Sequence, residues 1–351
     1  MKHLEDWWSS IDRLSFIFIL SLGVTGVILS FSVTIENIYF INRHSIFFVL
    51  GIIILVVISK TGEKNIRRIS LLNFVILLIL LICVILFDNE IKGARRWIKI
   101  FDFTLQPSEI IKPFFIILTA WCIAQTINGK QNYIFILFVF FIILIFLVLL
   151  QPDLGMTLLI ASTFFCQLFV AGLSLFLVLI SIAILIAISV GSYFIFDHVK
   201  RRVSSFLDSG SDTFQIDLSI KAFQSGNLFG KGPGQGILKE KLPDANTDFI
   251  FAVAGEELGL IFCLLIIFII LCIIIRTLIN VLKIQEPYKM IAITGLICSF
   301  GLQSFINIFS SLGLIPTKGM TLPFVSYGGS SMISISILFG FLLSLTNKNN
   351  E

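Results

Sequence analysis

The sequence predicts an all-α polytopic membrane protein: ten transmembrane helices, with one large extracytoplasmic loop between the seventh and the eighth. Three observations predict it. The 351 residues are 57% hydrophobic and only 13% charged, which is more apolar surface than a soluble domain of this size can bury. The apolar residues come in runs long enough to cross a bilayer, separated by short polar breaks. The connection "KTGEKNIRRI" carries Lys60, Lys64, Arg67 and Arg68 against Glu63 alone, an asymmetry of the kind that sets orientation. A net charge of +4 without a dense Lys/Arg run excludes a nucleic-acid patch. The six cysteines all fall in apolar runs without metal-ligand spacing, so they read as small core hydrophobes.

Taken in order, the chain opens with "MKHLEDWWSSIDR". This segment is polar and acidic, and no small-residue cleavage site follows, so it predicts a retained cytoplasmic segment with interfacial Trp7 and Trp8. The spans then run over about 14–33, 44–60, 70–88, 107–127, 132–150, 155–171, 174–196, 249–275, 290–311 and 329–346. The whole chain, 1–351, reads as a single membrane domain, with the outer loop at 197–248. An even number of spans puts both termini on one side. Lys283 and Lys289 share that side with the 60–69 connection, so it is cytoplasmic. Pro107 suits the first position of the fourth span. Pro and Gly in "QPDLGM" break the chain between the fifth and sixth, which places Asp153 in a tight turn. The loop stretch "GNLFGKGPGQGILKEKLPD" reads as turn-rich surface, since no GK[ST] follows its glycines. Irregular "GLIPTKGMTLPFVSYGGSS" before the last span predicts a re-entrant or rim loop, because such backbone survives at membrane depth only inside protein or beside a watery cavity.

The outer face is unexpectedly basic. About 13 Lys and Arg residues fall there against 11 inside. Long loops translocate largely regardless of charge, but the 89–106 loop with Lys92, Arg95, Arg96 and Lys99 is short. Positive charge kept there points to a bound anion. Nearby, Glu109 and Lys112 stand i,i+3 and Ser108 and Lys112 i,i+4 on one helix flank. They form either a structural ion pair or a charged site on a polar cavity, with Arg95, Arg96 and Trp97 beside it. In "NTDFIFAVAGEELG", Asp248 stands at the water boundary while Glu256 and Glu257 lie within the apolar run. At 100° per residue Glu256 is about 80° from Asp248, so the two could face one cavity, whereas Glu257 needs a partner on another helix.

The motifs "GARRW", "QPSEIIK", "QPDLG", "NTDFIFAVAGEELG" and "PTKGMTLPFVSYGGSS" occur in an order and spacing that resembles the SEDS family (shape, elongation, division, sporulation), from about Arg13 to Leu345. "PTKGMTLPF" resembles the cell-division branch, the elongation branch being the alternative. The resemblance implies a multi-pass protein of the bacterial inner membrane at the division septum, polymerising lipid II as an inverting glycosyltransferase beside a class B penicillin-binding transpeptidase and other divisome proteins. A lipid II flippase or other transporter is the competing class. On this reading Asp248 is the catalytic base, and its assignment leans on the family. The reaction needs a base at the attacking hydroxyl and positive charge at the departing pyrophosphate. Arg96 and Lys112 suit the pyrophosphate, helped by Arg95 or Lys318. Trp97 suits sugar or prenyl carbons, and Ser326 joins the substrate-binding set. Glu109 and Glu256 support the cations. The resemblance singles out no cofactor, and a divalent cation is compatible with it. The family usually has His before Thr-Asp where this chain has Asn246, so a proton relay through that position is not expected.

Overall fold

A computed structural model describes residues 2–33, 38–87, 96–100, 103–151, 153–172, 213–316 and 319–347, with six isolated residues between 176 and 194. The chain is mostly helical: α1 (Lys2–Ser10), α2 (Arg13–Val33), α3 (Ile38–Ser59), α4 (Glu63–Phe87), α5 (Pro107–Ile127), α6 (Asn132–Leu150), α7 (Leu154–Val170), α8 (Thr213–Gly226), α9 (Ile250–Val281), α10 (Pro287–Ser311) and α11 (Gly329–Leu345). Among the described residues, α2, α3, α4, α5, α6, α9 and α10 are long and apolar enough to cross a membrane, and α7 and α11 are shorter apolar helices. Most of the expected span 174–196 lies outside the described residues.

The helices sort by what their faces meet. α5 is buried along nearly its whole length, and α10 and α11 on most of theirs. α5 packs against α4, α6, α7, α10 and α11, and α11 against α3. The outer helices leave large apolar side chains exposed, among them Ile46 and Val57 on α3, Leu72 on α4 and Phe135 and Ile142 on α6. Such faces suit lipid, which is as apolar as they are.

Two ends follow. At one, Trp7 Nε1 donates to Ser59 Oγ (2.8 Å), Ser344 Oγ to the Thr61 carbonyl (2.5 Å) and Arg276 Nε to Asp12 Oδ2 (2.7 Å). This end gathers α1, the 60–62 turn and both termini of the described chain. The other end carries the polar loops. A short antiparallel pair, β1 (Ile98–Ile100) and β2 (Phe103–Leu105), lies there. So does α8, which packs on α9. Neither element has a hydropathy signature of its own in the sequence.

One helix is interrupted. Gly259 in α9 has φ 79° and ψ 179°, a conformation that residues with a Cβ rarely adopt. The 227–232 segment fills the break: Leu260 N donates to the Asn227 carbonyl (3.0 Å), Ile261 N to Leu228 (3.2 Å), and Lys231 N and Gly232 N to the carbonyls of Glu256 and Glu257 (3.0 and 2.9 Å). Backbone freed at the break is thereby paired again, as a low-dielectric setting requires. Gly230, also at φ 79°, fits because a Cβ there would meet the Glu257 carbonyl oxygen at 2.1 Å.

Candidate functional site

The polar end divides into three clusters. The first surrounds Asp248. It closes a turn in which the amides of Thr247, Asp248 and Phe249 all donate to the Asp244 carbonyl (3.0, 3.1 and 3.3 Å), with Asp244 at φ 54°. The Asp248 carbonyl accepts from Asn307 Nδ2 (2.9 Å) and Ser311 Oγ (3.4 Å) on α10. Asn307 Nδ2 also donates to the Met320 carbonyl (2.6 Å). Ser326 Oγ donates to the Thr247 carbonyl (2.5 Å) and accepts from Leu322 N (2.8 Å), while Tyr327 N donates to the Asn246 carbonyl (2.9 Å). The backbone on both sides of Asp248 is therefore fixed by α10 and by the 320–327 segment. The half-buried carboxylate itself is not the cap of α9, where Phe249 takes the N-cap position. A Cβ on Gly319 would lie 3.7 Å from Asp248 Oδ2, so the backbone at Gly319 passes alongside. Lys318 and Arg95 themselves lie outside the described residues.

The second cluster is centred on Lys112. Its Nζ donates to Glu109 Oε2 (2.6 Å) and to Gln303 Oε1 (2.7 Å), and the side chain is only 2% exposed. Gln303 Nε2 reaches the Thr321 carbonyl (3.2 Å) and Ser331 Oγ (3.3 Å), and Ser334 Oγ donates to the Glu109 carbonyl (2.6 Å). Lys112 thus ties α5, α10 and the segment entering α11 together. Of the two readings of the Glu109–Lys112 pair, the geometry is that of an ion pair enclosed by protein; the side chain does not open to a cavity, because Glu109 and Gln303 take its ammonium group. Beside it, Arg96 Nε donates to the Gln151 carbonyl (2.8 Å), and Arg96 Nη1 stands 3.5 Å from Asp153 Oδ2. Asp153 caps α7, accepting from Met156 N (3.1 Å), and takes a bond from Gln106 Nε2 (3.3 Å). The turn expected for Asp153 therefore doubles as the anchor of Arg96. Trp97 is half-buried immediately before β1.

The third cluster answers why α9 carries two adjacent glutamates. Glu256 Oε1 accepts from Ile237 N (2.9 Å), Leu238 N (3.1 Å) and Lys231 Nζ (3.3 Å), and Oε2 from Lys239 N (3.2 Å). Glu257 Oε1 accepts from Lys239 Nζ (2.7 Å) and Gly236 N (3.4 Å), and Oε2 from Gly234 N (3.2 Å) and Ser32 Oγ of α2. Lys239 Nζ also donates to the Ser32 carbonyl (2.6 Å). Both carboxylates are almost fully buried. The glycine-rich loop does cradle anions, but they are the protein's own. Glu256 supports the cation Lys231 and does not open toward Asp248, which corrects the shared cavity expected from helix geometry. The reason is the loop's amide cluster, invisible to a helical wheel.

A cavity of about 1450 Å³ opens at the opposite end between α2, α9, α10 and α11. Its charges are largely neutralised in place, Arg276 by Asp12 (2.7 Å) and Lys289 by Glu286 (3.2 Å). It holds none of the groups that the chemistry needs. Among the described residues no three His, Cys, Asp or Glu side chains gather as metal ligands.

Against this geometry, the cell cycle protein family FTSW_RODA_SPOVE matches residues 7–351. A curated relative in Caulobacter vibrioides, named probable peptidoglycan glycosyltransferase FtsW, is 35% identical across 97% of this chain and 90% of its own length. The protein of the same name in Aliivibrio salmonicida is 31% identical across 99% and 94%. Among solved structures, a chain of a peptidoglycan synthase complex that coordinates polymerization and crosslinking aligns with a TM-score of 0.81, at 22% identity, covering 97% of this chain and 98% of that one. The rod shape determining protein RodA of Thermus thermophilus aligns with a TM-score of 0.72, at 22% identity, covering 97% of each chain. These two show a shared fold.

Proposed function

We propose a peptidoglycan polymerase from one premise: the chain belongs to the FtsW/RodA/SpoVE family of cell cycle proteins. Its function is glycosyl transfer, joining lipid II units into glycan strands at the outer face of the inner membrane during septal wall synthesis. A sugar hydroxyl attacks the anomeric carbon of a donor sugar. The bond to pyrophosphate breaks with inversion, and the hydroxyl proton passes to a base. The division role is supported by relatives named FtsW at 31–35% identity. A fluorescent fusion enriched along the lateral wall instead of mid-cell would move the chain to the elongation branch.

The observation that carries the site is the backbone clamp on Asp248. A general base must be held where the proton is taken, and Asp248 is fixed by Asn307, Ser311, Ser326 and Tyr327 while its side chain stays half-exposed. Arg96, with Arg95 and Lys318, takes the pyrophosphate, and Trp97 packs on sugar or prenyl carbons. Ser326 sets the backbone at Thr247. Lys112, enclosed with Glu109, acts on the anion from beneath by charge and by holding the 321–331 segment. Glu256 holds the loop that roofs α9.

The membrane arrangement proposed is ten spans in one domain, with both termini cytoplasmic and the 197–248 loop outside. Cysteine labelling at Lys231 should report the outer face, and at Lys64 and Lys283 the inner; labelling of Lys64 and Lys231 from one side would break that parity. The partner proposed is a class B penicillin-binding protein, supported by the fold shared with a chain of a peptidoglycan synthase complex. The deciding experiment is lipid II polymerisation by the co-purified pair with Asp248→Asn, which keeps shape but removes the base. Base catalysis contributes roughly 10²–10⁴-fold, so retention of more than about a tenth of the wild-type rate would overturn the assignment.

A further inference from the structure

The first turns of α4 place Lys64, Arg67, Arg68 and Leu71 at i, i+3, i+4 and i+7, one helical face. Trp121 of α5 closes the other side of a pocket of about 300 Å³ lined by these five residues. Trp121 is itself seated edge-on against Tyr133 of α6, with centroids 5.3 Å apart. Arg67 is held by Glu63 (3.2 Å) and by the Tyr288 ring (5.2 Å). Lys64 and Arg68 are exposed, and no carboxylate lines the pocket. Glu63, the nearest acid in sequence, is already shared by Arg67 and, at 4.0 Å, by Lys289.

Three cations at a helix N-terminus are disfavoured by the helix dipole. The positive-inside bias accounts for their sign on this side, but not for their sharing one face with an interfacial Trp. An anion between them offsets both the mutual repulsion and the dipole. Below the pocket, Leu71, Leu72, Val75, Ile76 and Ile79 continue down α4 with their side chains exposed. The ligand is therefore anionic at one end and apolar along its length.

We propose that this groove between α4 and α5 is a binding site for an anionic glycerophospholipid, in the cytoplasmic leaflet under the orientation given above. The phosphate lies between Lys64 and Arg68, the glycerol rests on Trp121, and an acyl chain follows Leu71 to Ile79. Basic pockets between membrane helices on that side hold such headgroups, each cation near the surface being worth about a fivefold change in affinity.

The test is lipid titration of the purified full chain by native mass spectrometry, with phosphatidylglycerol against phosphatidylcholine. The wild type should hold one phosphatidylglycerol that phosphatidylcholine does not replace. Lys64→Gln with Arg68→Gln, which leaves the Arg67–Glu63 pair intact, should weaken that lipid roughly 30-fold. The charge-preserving Lys64→Arg with Arg68→Lys should restore it. An unchanged affinity in the Gln pair overturns the proposal. So does equal retention of phosphatidylcholine, or saturation by soluble glycerol phosphate at the affinity of the lipid. Because binding is read without polymerisation, a failure here is separate from a failure of the catalytic assignment.

Discussion

Lys112 poses the sharpest question about the site, because its position allows both a structural and a substrate role. Substituting Lys112→Met alone leaves Glu109, 5% exposed, without its cation, and breaking a buried pair from one side costs about 3–5 kcal/mol. The companion change Glu109→Gln removes the stranded charge. What remains is Gln303 Oε1, deprived of its 2.7 Å donor, an unmet buried acceptor worth about 1–3 kcal/mol. The double variant should therefore regain roughly 2 kcal/mol over the single one, visible as recovered yield and a higher melting midpoint in detergent. On the proposed substrate role of Lys112, polymerisation of lipid II should stay lost, since the positive charge assigned to the pyrophosphate is gone. Recovery of polymerisation in the double variant would show that Lys112 serves folding alone and would remove it from the substrate set. A double variant no more stable than the single would refute the energetic reasoning itself.

Other perturbations test the remaining clusters. Arg96→Lys keeps charge but loses the planar fork that meets two oxygens at once, so donor use should fall, and Arg96→Ala should be nearly inactive in the same assay. Lys239→Met leaves Glu257 buried with no cation, and should cost about 3–5 kcal/mol, read as lost expression and early melting; Glu257→Gln in the same chain should return most of it. Gly230→Ala forces a Cβ toward the Glu257 carbonyl at a positive φ, and limited proteolysis should cut the 227–240 segment faster than in the wild type. Burial pushes the Asp12 carboxyl up, but hydrogen bonds from Arg276 and Ser15 outweigh it and hold it below its ordinary value. Its contribution is therefore complete above pH about 4 and is lost as pH falls through the depressed value. The melting difference between wild type and Asp12→Asn should be the same at pH 7 and 5 and shrink below pH 4.

Hydropathy made the membrane-buried parts of the fold legible. The spans read at 107–127 and 132–150 coincide with α5 and α6, and 155–171 differs from α7 by one residue. It lost helices where they leave the bilayer. α4 begins at Glu63, not at 70, since Lys64, Arg67 and Arg68 are good helix formers that hydropathy counts as loop. α9 likewise runs on to Val281. The polar motifs marked which segments matter, and Asp248, Lys112 and Arg96 all lie at one end. Their partners were not legible. Gln303, Asn307 and Ser311 look like ordinary polar residues in an apolar run, and only their side-chain bonds to Lys112 and to the Asp248 carbonyl distinguish them. A periodic row of Gln, Asn and Ser, spaced by four along a membrane helix, was the available signal. Glu257 reads as needing a partner on another helix, and Ser32 of α2 supplies one, but Glu256 reads toward a cavity because the loop amides that bind it are backbone, which sequence composition does not display.

The break at Gly259 changes what α9 is. The piece after it, 260–281, reaches roughly 33 Å at 1.5 Å per residue, enough to cross the hydrocarbon layer alone. Its side chains turn outward from the first position, with Leu260, Ile261, Leu264, Leu265 and Phe268 exposed. The piece before it, 250–258, is buried on nearly every side by protein. Hydropathy joins the two into one span, but only the second turns a face of large apolar side chains outward, as a helix against lipid would. The first is enclosed like a helix in a protein core, with the amides of the 234–239 segment bonded to its two glutamates. Asp248 at its head is therefore placed by packing, not by the thickness of the lipid, and a bilayer that thins, thickens or tilts the 260–281 rod need not carry the carboxylate with it.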